Sequence, residues 1–231
     1  MRLVGLLMLV GFGLVCKGGY MQAKAHFAQF LIAQAWQQTL EDQQPHKPWP
    51  WADTHPVAQL SFISPQVAND SEWLQSDRKI EATSADAKSG SAQSQKLDHI
   101  GLSLREAAET EAPLYVLAGA SGRNLAFGPA LVMSGAMPNQ SGNAIIAGHR
   151  DTHFSILKGV QLGHYIRLTD VTGGHQYYRV VYTQIVHQDQ NSVMAPTKDN
   201  RLTLITCYPF EEVQGEAELR FIVTAEPVDA A

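Results

Sequence analysis

Three short stretches carry residue types that could do covalent chemistry. The stretch Arg201-Leu202-Thr203-Leu204-Ile205-Thr206-Cys207-Tyr208-Pro209 reads as a strand stopped by its proline, and strand alternation puts Thr203, Ile205 and Cys207 on one face. Upstream, Ala144-Ile145-Ile146-Ala147 is an apolar strand that ends on Gly148 and presents His149 at its tip, ahead of Arg150-Asp151-Thr152-His153-Phe154. A side chain fixed there is held by a rigid element yet open to a ligand. The third stretch, Leu219-Arg220-Phe221-Ile222-Val223-Thr224, is a β-prone run in which Arg220 shares a face with Ile222 and Thr224, and a guanidinium there calls for an anionic or oxyanionic partner.

If the three meet in space they make a cysteine-nucleophile site. The thiolate is the reactive form, and a neighbouring Arg⁺ or His⁺ favours it over the thiol. His149 would protonate a leaving amine and later deprotonate an incoming nucleophile. Arg220 would donate hydrogen bonds to the oxygen that gains charge as a carbonyl becomes tetrahedral. Each residue alone is ordinary, since a Cys among apolar neighbours is commonly structural and a His after Gly is commonly a turn residue. Two readings from other classes compete. His149 and His153 would converge on a metal if the segment between them were helical, although Arg150 stands where the HExxH pattern has Glu. The other is a catalytically silent, membrane-tethered β-barrel that only binds.

Composition narrows the partners. The chain has 231 residues, 45% of them hydrophobic, and a formal net charge of −5, so no general excess of positive charge exists to hold a phosphate backbone and nucleic acid is excluded as a partner. Cys16 and Cys207 lie far apart, which leaves no disulfide framework and no cysteine-based zinc site.

The elements that must position the three stretches begin with a membrane question. Residues 3–16 carry no charge, and Lys17, Gly18 and Gly19 interrupt the run before Tyr20 and Met21. Fourteen helical residues cover about 21 Å of a hydrocarbon core about 30 Å thick, while a run continued to Met21 with a snorkelling Lys17 comes close to a span. No Ala-x-Ala site follows, and Val15 is large for lipoprotein cleavage at Cys16. The expectation is an uncleaved signal anchor at 1–21, with Arg2 in the cytoplasm and the rest exported. A cleaved signal peptide and a buried N-terminal helix are the alternatives. Between Tyr20 and Leu40 the residues Ala23, Phe27, Phe30, Leu31, Ile32 and Trp36 approximate helical spacing, so 22–56 reads as an amphipathic helix followed by an extended strap of Pro45, Pro48, Pro50 and Pro56 with Trp49 and Trp51.

The catalytic unit is expected at 57–231, with a flexible insertion at about 69–110 whose middle, Ser84 to Gln95, holds no large apolar residue. A short helix is predicted at 97–109. Strands are predicted at 57–63, 114–117, 130–133, 143–147, 164–169, 176–187, 201–206 and 219–224, separated by turn signals such as Ser121-Gly122 and Gly173-Gly174. Eight strands with few helices between them predict a mainly antiparallel sandwich or closed barrel.

The strings Ala147-Gly148-His149-Arg150-Asp151-Thr152-His153-Phe154, Thr203-Leu204-Ile205-Thr206-Cys207 and Leu219-Arg220 together resemble the sortase family. The resemblance implies an eight-stranded β-barrel, with Cys207 in the TLxTC motif as nucleophile, His149 as acid/base and Arg220 as the oxyanion or substrate-orienting residue. It further implies a cysteine transpeptidase that cleaves an LPxTG-like C-terminal sorting signal through a thioacyl intermediate and passes the protein to an amine acceptor, with no metal or organic cofactor. Calcium assists some members through loop carboxylates, and Glu211, Glu212, Glu216 and Glu218 lie between the two motif strands, where a solvated loop explains them equally well. The N-terminal run, Lys47-Pro48-Trp49-Pro50-Trp51-Ala52-Asp53, Gly119-Ala120-Ser121-Gly122 and Cys207-Tyr208-Pro209-Phe210 are similar to the class GN sortases of Gram-negative proteobacteria. That similarity implies a single-pass protein of the inner membrane with its catalytic domain on the periplasmic side.

Overall fold

The computed structural model describes residues 2–63, 112–211 and 217–228, and within the first helix the side chains of residue 11, residues 17–20 and residues 23 onward. The expected insertion at 69–110, the helix at 97–109, and Glu212 and Glu216 lie outside the described residues.

The chain opens with one continuous helix, α1 (Arg2–Asp42), which runs through Lys17-Gly18-Gly19 without a break. Ala28, Ile32, Ala35, Trp36 and Thr39 form its buried stripe, at the three- and four-residue steps that put side chains on one face. The helix packs on the barrel at β1 (Pro56–Ile63) and β2 (Leu114–Ala118). Phe27 and Phe30, expected on the apolar face, are exposed instead. Among the described residues no helix is long and apolar enough to cross a membrane, and the apolar side chains of the expected anchor, at 3–10 and 12–16, lie outside them. The strap is not extended throughout, because the Ala52 amide donates to Trp49 O (2.9 Å) and closes a turn that turns Trp49 onto Phe127 and leaves Trp51 outside.

The remaining elements are a one-turn helix α2 (Gly122–Leu125), β3 (Ala130–Leu131), β4 (Gly142–Ala147), a 3₁₀ turn at Ser155–Gly159, β5 (Tyr165–Asp170), β6 (His175–His187), a second 3₁₀ turn at Asn191–Met194, β7 (Asn200–Tyr208) and β8 (Leu219–Pro227). The eight strands close into a barrel in the order β1-β2-β3-β4-β7-β8-β6-β5, so no sheet edge is left to pair with another chain. Inward positions alternate along each strand. Leu60, Ile146, Leu168, Val180, Leu202, Leu204 and Val223 belong to one core, which Phe154 and Leu157 complete from the segment after β4. Tyr178 also points inward, where its hydroxyl donates to Asn200 Oδ1 (2.8 Å), and burial pushes its phenol up to about 12.

Six of the eight ladders are antiparallel, while β2–β3 and β4–β7 are parallel. The β4–β7 pairing decides where chemistry is possible. In a parallel pair both strands end at the same rim, so the segment after β4 and the segment after β7 emerge side by side, and antiparallel β8 starts from that same rim.

Candidate active site

Cys207 and Arg220 are direct cross-strand partners in the β7–β8 ladder. Their side chains lie on the outer face with Thr203, Ile205, Ile222 and Thr224, opposite the core residues Leu202, Leu204 and Val223. Direct opposition is the closest side-chain approach that a sheet offers. His149 arrives from the other flank. Ala147 is level with Ile205 at the end of the ladder, so His149, two residues further, emerges at the rim where Cys207 lies two residues beyond Ile205. Two bonds carry the alignment beyond the strand end: the Gly148 amide donates to Ile205 O (3.0 Å) and the buried Thr206 hydroxyl donates to Gly148 O (2.8 Å). The three residues singled out in the sequence therefore converge at one rim, with Cys207 half-buried as a free thiol and His149 exposed.

The turn that carries His149 is fixed from below. The amides of Thr152 and Phe154 donate to His149 O (3.4 and 3.0 Å), and Phe154 is fully buried beneath Gly148. A Cβ at Gly148 would lie 2.6 Å from Phe154 Cγ, so close packing of the ring against backbone requires glycine here. Arg150 joins the two motif segments. With its side chain only 9% exposed, it donates from Nη1 to Pro209 O (2.7 Å), which ties the His149 turn to the chain that leaves Cys207. At the ends of β7 and β8, Tyr208 and Phe221 stack (ring centroids 6.4 Å apart) and Phe210 meets both edge-to-face (6.0 and 5.4 Å).

His153 is half-buried beside this turn, its Nδ1 3.3 Å from Thr152 Oγ1. Burial, and then the charge of neighbouring His149, hold His153 below the usual imidazole value, so it favours the neutral form. Residues 150–154 form turns rather than a helix, which removes the geometry that the metal reading of His149 and His153 needs. Among the described residues no group of three or more His, Cys, Asp and Glu could hold a metal ion. Glu211 is committed to Lys158 (2.7 Å), which holds its carboxyl below the usual range, and Glu218 lies 3.8 Å from His187 Nε2.

Arg220 departs from the expectation of an anionic partner. Its Nη1 donates to Ala217 O (2.5 Å) and Leu219 O (2.9 Å), and Nη2 donates to Gln188 Oε1 (3.1 Å). These acceptors are neutral, so they orient the guanidinium without cancelling its charge. Gln188 is itself placed by its amide, which donates to Glu218 O (2.7 Å). Arg150 and Thr206 stand inside the motif strings with no role readable there and Gln188 stands outside them, because each acts through a pairing with a residue distant in the chain. Asn143 is a fourth case: buried on β4, it accepts from the Thr203 hydroxyl (2.6 Å) and donates to Val193 O and Ala195 O (3.2 and 3.3 Å), pinning the β6–β7 connection beside β7. A polar groove of about 360 Å³ runs there between Gln184, Val193, Thr203 and Thr224, on the same outer face as Cys207.

Comparison with known proteins places this arrangement. The chain is 31% identical over 124 residues to Sortase D of Bacillus subtilis (strain 168), a stretch covering 53% of this chain and 62% of the relative. It is 33% identical over 117 residues to Sortase A of Listeria monocytogenes, covering 49% of this chain and 50% of that one. The match thus spans between half and two thirds of each relative's length. Among solved structures, a lid mutant of Sortase A from Corynebacterium diphtheriae shares the fold, with a TM-score of 0.50 at 18% identity over 87% of this chain and 94% of that one. The sortase domain model matches residues 106–228, which hold all three motif stretches and seven of the eight strands, and the chain belongs to the sortase family.

Proposed function

We propose that this protein is a cysteine transpeptidase of the class GN type that acts on a C-terminal sorting signal resembling LPxTG. The observation that carries the reading is the shared rim, where Cys207 opposes Arg220 across β7–β8 and the parallel β4–β7 ladder ends with the His149 turn beside it. The Cys207 thiolate attacks the carbonyl carbon that follows Thr in the signal, and Arg220 donates hydrogen bonds to the oxygen as it gains negative charge. Collapse of the tetrahedral species breaks the C–N bond, and the leaving amine takes its proton from His149. An acceptor amine, deprotonated by His149, then attacks the thioester and releases the Cys207 sulfur, joining the protein to its acceptor. The groove between Gln184, Val193, Thr203 and Thr224 supports an extended peptide on the outer face. No step calls for a metal or an organic cofactor.

The same reading places the protein in the inner membrane as a single-pass protein, held by residues 1–21 with its barrel on the periplasmic side. What supports this is the uncharged run of residues 3–16 behind Arg2, which belongs to the same helix, α1, that packs on the barrel at β1 and β2. Mass spectrometry of the full chain incubated with an LPxTG peptide tests the chemistry. A covalent thioacyl adduct that maps to Cys207 is the expected result, and an adduct elsewhere or none at all overturns it. Alkylation of the native protein separates the enzyme from a silent binding barrel, since a catalytic Cys207 reacts readily and a structural one resists.

A further inference from the structure

Far around the barrel from Cys207, α1 and the strap expose an aromatic surface that the proposed chemistry does not use. Tyr20, Phe27 and Phe30 on α1 are 66%, 61% and 61% exposed, and Trp51 at the tip of the strap turn is 81% exposed. Phe27 and Phe30 stack on each other (centroids 6.4 Å apart) rather than on the barrel. Beside them lies a cavity of about 480 Å³ lined by Phe27, Trp49, Trp51 and Phe127, with Lys24 and the ion pair of Arg123 with Asp53 (3.3 Å) among its walls. Aromatic rings of this number are costly to leave in water, and the mix of Trp, Tyr, Phe and Lys is that of the membrane–water interface.

Charge and position name the occupant. The first 40 residues hold Arg2, Lys17 and Lys24 and no Asp or Glu, in a chain whose net charge is −5. The aromatic surface thus sits on the basic part of an acidic protein, which complements anionic lipid. A helical span begun at Leu3 crosses a hydrocarbon core of about 30 Å by Gln22 at about 1.5 Å per residue. The head-group zone, about 5–7 Å per leaflet, then reaches Phe27. We infer that Phe27, Trp51 and Lys24 form a docking face that seats the barrel on the head-group zone of an anionic phospholipid bilayer. A single helix alone leaves a domain free to swing. A second contact at Trp51, which the strap turn holds beside Phe27, fixes the orientation of the barrel relative to the bilayer.

The inference rests on the membrane reading of α1, and two readouts let the two fail separately. The full chain is reconstituted into phosphatidylcholine–phosphatidylglycerol vesicles that carry bromine on lipid acyl chains, either near the head group or near the tail end. Bromine near the head group should quench wild-type tryptophan emission more than bromine near the tail. Most of that difference should vanish in Trp51→Phe, and Lys24→Glu should reduce it. Equal quenching of wild type and Trp51→Phe overturns the docking face, as does shielding of Trp51 from aqueous iodide that rises with protein concentration in lipid-free detergent, which marks a second copy as occupant. Alkaline carbonate extraction reports on the anchor alone. A protein that is extracted yet keeps the Trp51 signal at neutral pH retains the docking face and loses the anchor.

Discussion

Strand β7 and helix α1 both carry apolar residues at regular spacing, yet their two faces are divided in different ways. Along β7 the division is binary: Leu202, Leu204 and Thr206 are buried towards the core side, while Thr203, Ile205 and Cys207 line the outer face that bears chemistry. Around α1 it is graded, with Ile32 and Trp36 fully buried, Leu31 half-buried, and Phe27 and Phe30 exposed. A strand offers two directions 180° apart, so period two assigns every residue. A helix offers a continuous circle, and an apolar arc wider than the surface it meets leaves part of itself uncovered. Chemistry sits where assignment is binary, because a side chain one residue out of register would face the core.

The sharpest way to break this comparison is to change one residue on each side of β7. Cys207→Ala removes the nucleophile from the outer face, so thioacyl formation should be abolished while the thermal midpoint moves little. Leu204→Ala, on the inner face, should cost about 2–5 kcal/mol of stability through a cavity, with any remaining folded protein still able to form the adduct. Adduct mass and a denaturant titration on the same preparations read both effects. A Cys207→Ala protein that still forms the adduct would end the assignment of the site.

The next largest effect distinguishes two histidines of one turn. Loss of a general acid/base typically costs on the order of 10²–10⁴ in rate. His149→Ala should fall in that range. His153→Ala should lose much less, because His153 is half-buried, shifted towards its neutral form and set back from the rim. Reversed losses, measured as kcat/KM for peptide cleavage, would mean that the register of β4 and β7 does not carry through Gly148 to the reacting group.

Arg220→Lys keeps the charge and loses the planar fork, which tests geometry rather than field. The expected fall is on the order of 10²–10³ in kcat, with alkylation of Cys207 by a small reagent nearly unchanged. Gln188→Ala should move turnover in the same direction by less, since Arg220 keeps its bonds to Ala217 O and Leu219 O. Full activity in Arg220→Lys would reduce its role to a diffuse positive charge.

All eight strands were legible from alternation and turn residues to within a few positions, and so was the strand or strand end that carries each of Cys207, His149 and Arg220. Strand pairing was not. Nothing in the run 143–147 says that it lies parallel to β7, because the partner is chosen by the closure of the whole barrel. For the same reason the roles of Arg150 and Thr206, both inside the motif strings, were unreadable, and Asn143 and Gln188 were silent: each makes its decisive hydrogen bond to a residue 32 to 60 positions away. Pro45, Pro48 and Pro50 argued for an extended strap, but the Trp49–Ala52 turn prevailed, since docking Trp49 on Phe127 removes an aromatic ring from water.

The smallest expected effect sharpens the graded side of the comparison. Ile32 lies on the α1 stripe, fully buried with Leu117 and Ala130 and packed against Trp49 and Phe127, so Ile32→Ala removes buried methyl groups and leaves a cavity between helix and barrel. That should cost about 2–5 kcal/mol. Phe30 is two residues away in sequence and larger, yet most of its ring is in water. Phe30→Ala should therefore change stability by no more than about 0.5 kcal/mol, the range of surface substitutions. Chemical denaturation of the two variants in detergent, without lipid, is the measurement, because lipid would add the contacts proposed for neighbouring Phe27. Equal losses would mean that Phe30 is covered by the protein itself, which would make the exposed flank of α1 part of the core and leave no aromatic surface there for a bilayer to meet.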